Sequence, residues 1–138
     1  MASGAFTVCL LGFHGGDFDL VNDDVSAILV DLDQYTPSLN SNTSLADVPE
    51  VAILSEALLT GKALSDKEFQ ADPTTFPAVT VDSGVTVGAV IVFLSADTLE
   101  DSTLLFLIDD AAEFPVTPDG SDIRVTWGAG SGVVHEFT

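Results

Sequence analysis

The run Val85-Thr86-Val87-Gly88-Ala89-Val90-Ile91-Val92-Phe93-Leu94 leads into a polar connection, residues 95–103, and then into Leu104-Leu105-Phe106-Leu107-Ile108 and the acidic pair Asp109-Asp110. The first run is β-branched and aromatic, short for a helix and bounded by turn residues, so it reads as a strand. The second returns antiparallel across residues 97–102. A strand of a two-layer sandwich needs one apolar face only. This hairpin has two. Val87, Ala89, Ile91 and Phe93 fall on one side; Val90, Val92 and Leu94 fall on the other, and Leu105 and Leu107 of the return strand are expected to join them. The candidate interface is therefore Val90, Val92, Leu94, Leu105 and Leu107, to be covered by a helix of this chain or by another subunit.

On the N-terminal side, Phe6, Cys9, Leu10 and Phe13 recur at the spacing of one helical face. They predict a short helix or arm over residues 1–16, ending at Gly15-Gly16, where glycine suits a left-handed cap. This segment is the expected cover for the spare hairpin face. Residues 25–32 read as a strand after a turn at 22–24. Residues 34–50, rich in Ser, Asn and Pro, read as a long surface loop with an exposed Tyr35 and one helical turn at 44–48, stopped by Pro49. A strand with a bend at Gly61 follows over 51–64, then a short strand at 68–72. Pro73 and Pro77 confine the next segment to an edge or a loop. Asp122-Ile123-Arg124-Val125-Thr126-Trp127 alternates, with Ile123, Val125 and Trp127 inward, and 133–137 forms the last strand. About seven short strands with little helix predict a mainly β protein, a single-domain antiparallel β-sandwich spanning residues 1–138.

The 138 residues suffice to bury roughly two-thirds of the unfolded surface. An apolar content of 46% and a mean hydropathy of +0.41 exclude general disorder. The charge is extreme: 22 acidic side chains against Lys62, Lys67 and Arg124 give −19. A phosphate-binding surface needs clustered cations, so nucleic acid and anionic membranes are excluded as partners. No apolar run is long enough to span a bilayer, and the start of the chain lacks the basic residues of a secretory signal. A soluble protein made in a cytoplasm is expected. The single cysteine, Cys9, rules out an internal disulfide and reads as a buried, inert thiol.

The pattern contains no catalytic site. His14 and His135 stand far apart, without a metal-binding pair, nucleophile elbow or phosphate loop around them. Asp31 with Asp33, Asp109 with Asp110, and Asp119 with Asp122 gather carboxylates at strand ends, where calcium takes six to eight oxygens. EF-hand spacing is absent, and solvated charge is the preferred reading. The expectation is a non-enzymatic protein with no cofactor and no metal.

Read whole, the chain resembles a family of small structural proteins encoded by tailed phages and prophages. The residues that carry the resemblance run in order from Gly16-Asp17-Phe18-Asp19-Leu20-Val21-Asn22-Asp23-Asp24-Val25 through Tyr35-Thr36-Pro37, Asp47-Val48-Pro49 and Leu59-Thr60-Gly61-Lys62. They end in the hairpin and in Phe114-Pro115-Val116-Thr117-Pro118-Asp119-Gly120-Ser121-Asp122-Ile123-Arg124-Val125-Thr126-Trp127, the most specific segment. The similarity covers about residues 16–138. It implies a virion component on the capsid exterior, a decoration or cement protein that binds the major capsid protein, forms homo-oligomers and stabilises the head. The competing expectations are a fibre, spike or adhesin module that uses the 34–50 loop to recognise a host surface, and a tail or connector component.

Overall fold

A computed structural model describes residues 4–6, 23–65, 68–77, 85–98, 100–108, 114–118, 120–127 and 133–136. The protein is mainly β. The described residues form ten strands, β1 (Gly4–Ala5), β2 (Val25–Val30), β3 (Ile53–Leu58), β4 (Ala63–Ser65), β5 (Glu68–Gln70), β6 (Thr74–Phe76), β7 (Ala89–Leu94), β8 (Leu104–Ile108), β9 (Ile123–Val125) and β10 (Val133–Glu136). Several of them span only two or three residues, which is why the sequence reads as about seven. Every pairing is antiparallel. One sheet has the order β1-β8-β7-β2-β3, a second β10-β5-β4, and a third β6-β9. Among the described residues no helix is long and apolar enough to cross a membrane.

The large sheet is apolar on both faces, as the hairpin sequence requires, and each face has its own core. On one face Val25, Ala27 and Leu29 of β2, Val90 and Val92 of β7, and Leu105, Phe106 and Ile108 of β8 meet the two small sheets. These contribute Phe69, Phe76, Ile123, Val125 and Val134, with Trp127 beside them. This is the sandwich, and all three sheets feed it. Phe69 and Phe106 tilt across the gap with ring centroids 5.9 Å apart, a spacing at which aromatic pairs attract beyond their area. On the other face Ile28, Val30, Ala89, Ile91, Phe93, Leu104 and Leu107 meet Phe6, Tyr35, Leu45, Val48 and Ala52.

That second core overturns two expectations. The cover of the spare face is residues 31–52, whose greater part, 34–50, the sequence reads as a surface loop; their scattered apolar side chains turn inward as a set. Tyr35, expected at the surface, is buried. The predicted helix at 1–16 lies outside the described residues except at its start, where Gly4–Ala5 is a strand paired with Phe106 and Leu107. Phe6 follows it, donating its amide to the Leu105 carbonyl at 3.0 Å and adding its ring to the second core.

The assignment of residues to faces also changes. The strand begins at Ala89, and Val87 stands apart in an isolated bridge to Val116. Gly88 resets the alternation, so Val87 joins Val90 and Val92 and leaves Ala89 and Ile91 on the opposite face. Its amide donates to the Val30 carbonyl at 3.0 Å, and a Cβ there would press on the Leu32 side chain. A second reset lies in β8: Val92 pairs with Phe106 but Phe93 pairs with Leu104. Leu105 is the extra residue of this bulge, so Leu105 and Phe106 both enter the first core. The alternation of Ile123, Val125 and Trp127 inward, with Asp122 and Arg124 outward, is as expected.

Candidate functional site

The five residues expected to form an interface are taken up by the chain itself. Val90, Val92 and Leu105 are fully buried in the first core, and Leu107 is fully buried in the second. Leu94 is partly buried against the first core. The β8 bulge separates Leu105 from Leu107, so the five do not even share a face. A sheet covered on both sides by its own chain offers no such surface to a second subunit.

The cover is held by a small set of polar contacts. The Asn42 Oδ1 accepts the Tyr35 hydroxyl at 2.5 Å and the Ser38 amide at 3.0 Å. Residues 43–45 lie beside 102–104, with the Leu45 amide on the Ser102 carbonyl at 2.8 Å and the Leu104 amide on the Thr43 carbonyl at 3.1 Å. A single 3₁₀ turn, Leu45–Asp47, then seats Leu45 and Val48 on the sheet. Asp47 closes this turn: its Oδ2 accepts the Thr43 amide at 2.8 Å, the Ser44 amide at 3.3 Å and the Thr43 hydroxyl at 3.4 Å. A carboxylate at the third position of a turn that reaches back to the amide of the capping residue is the acidic half of a capping box. The Thr43 amide, then the Ser44 amide, hold the Asp47 carboxyl below the ordinary carboxylate range, with the Thr43 hydroxyl adding to them. Burial, with the negative charge of Asp47 adding to it, pushes the Tyr35 hydroxyl up to about 12. A second 3₁₀ turn, Glu50–Ala52, brings Ala52 under the sheet and leaves Val51 outside.

The buried polar side chains serve the fold. The Ser26 and Ser95 hydroxyls share a hydrogen bond of 2.6 Å, and the buried Asp31 carboxylate accepts the Asp33 amide at 2.9 Å. Ser102 donates to the Thr98 carbonyl at 2.9 Å. The Trp127 indole N–H reaches the Asp72 carbonyl at 3.0 Å and the Thr74 hydroxyl at 3.3 Å. Among the described residues every buried side-chain nitrogen and oxygen has a partner, and no group of three or more His, Cys, Asp or Glu could hold a metal ion. His14, Cys9, Asp109, Asp110 and Asp119 lie outside the described residues. His135 is placed by its backbone in β10, opposite Phe69.

No protein-family model matches the chain, and no curated protein matches it.

What the sequence reading missed is a stretch of exposed apolar residues: Val51 at 72%, Leu58 at 54% and Leu64 at 47% exposure. The only hint was the doublet Leu58-Leu59. In a strand, neighbours face opposite ways, so one of the two had to point outward. Leu59 is the buried one.

Proposed function

We propose that this protein is a non-enzymatic structural component of a tailed-phage virion, a decoration or cement protein on the capsid exterior that binds the major capsid protein and stabilises the head. The observation that carries the reading is the ordered pattern over residues 16–138, above all Phe114 to Trp127. Those residues occupy framework positions here. Val116 pairs with Val87, Gly120 turns the chain at a φ of 91°, Ile123–Val125 pairs with β6, and Trp127 fills the first core.

One further feature supports it. A protein carrying −19 stays off nucleic acid, which suits a place outside a DNA-filled shell. The mechanism is mechanical: copies gathered as a homo-oligomer bridge neighbouring capsomers and oppose internal pressure by adding interface area. The host-binding alternative is weakened by the fate of the 34–50 segment, because Tyr35, Leu45 and Val48 are used in packing.

Particles assembled without the protein test the proposal. They should keep their architecture yet burst at lower temperature or under milder osmotic shock. Equal robustness combined with failure to adsorb to cells would replace the cement reading with the adhesin one.

A further inference from the structure

We draw no further inference here: the strongest candidate, the exposed side of β3 at the end of the five-stranded sheet, where Leu58 stands beside Glu56 on one face, carries nothing because nothing in the structure shows what covers it.

Discussion

Replacing Asn42 by Ala should destabilise the protein by about 2 kcal/mol. One side-chain oxygen there accepts both the Tyr35 hydroxyl and the Ser38 amide. Tyr35 is only 6% exposed, and its hydroxyl bond is part-buried, so water replaces the lost acceptor incompletely. A buried donor stripped of its acceptor costs about 1–3 kcal/mol, against roughly 1 kcal/mol for an ordinary bond. The Ser38 amide sits in a half-buried residue and recovers part of its loss from solvent. Urea unfolding followed by the fluorescence of Trp127 reads the effect. With a slope of about 1–3 kcal/mol per molar urea, the midpoint should fall by about 1 M while the slope stays the same. Tyr35→Phe removes the donor and the acceptor's main partner together, so Asn42→Ala added to it should cost less than it does alone. The two should couple by about 1 kcal/mol in a double-mutant cycle. A midpoint shift equivalent to less than about 0.5 kcal/mol, or a strictly additive cycle, would refute the claim that residues 31–52 are clipped shut at Asn42.

Raising the pH should weaken the fold through Tyr35. Its folded value near 12 stands above the ordinary 10.0, so its contribution is complete below pH 10 and is lost as pH climbs to about 12; Tyr35→Phe should flatten that part of a stability–pH curve. Gly61 has φ 63°, and a Cβ there would collide with the Asp72 carboxylate. Gly61→Ala should therefore lower stability by about 1–2 kcal/mol, seen as a drop in melting temperature. Val92→Asp or Leu105→Asp puts a carboxylate into a fully buried position of the first core. The expected result is loss of cooperative unfolding in isolated protein, by near-ultraviolet circular dichroism, and not a folded protein that fails to assemble. Melting temperature should rise along a salt series, because −19 on a small chain repels itself; a flat series would mean that the charges are already compensated locally.

Much of this fold was legible in the sequence, and the parts that were not share a physical cause. β7 and β8 announced themselves as unbroken apolar runs and β2 as a run broken only at Ser26, and the alternation through Ile123, Val125 and Trp127 gave their inward faces directly. Periodicity failed wherever a single residue shifted it. Gly88 and the β8 bulge each move every later side chain across the sheet; a lone glycine in a strand run is a signal of such a break, whereas the Leu-rich β8 run gives none. The cover was missed because Tyr35, Leu45 and Val48 lie among Ser, Asn and Thr at spacings that match neither a strand nor a helix. Their burial is decided by the apolar face they meet, which is contributed by distant residues. The same reason hid the interface error. Two apolar faces on one hairpin were read correctly as needing a cover, but nothing within the hairpin says who supplies it.

The order β1-β8-β7-β2-β3 has a consequence for the chain while it is being made. Gly4 finds its partner only at Leu107, and Val25–Val30, apolar except for Ser26, has β3 on one side but must wait for Ala89–Leu94 on the other. During synthesis, at about 5–20 residues per second, β2 therefore spends several seconds as an unfinished sheet edge, a template on which nascent chains could pair with one another. The closing step is the arrival of the β7–β8 hairpin, the adjacent antiparallel pair that can form by itself and then fill the gap between β2 and β1. Until then, the electrostatic repulsion between nascent chains is the available protection. The carboxylates at Asp23, Asp24, Asp31 and Asp33 flank β2 on both sides and stand as gatekeepers against aggregation during that interval.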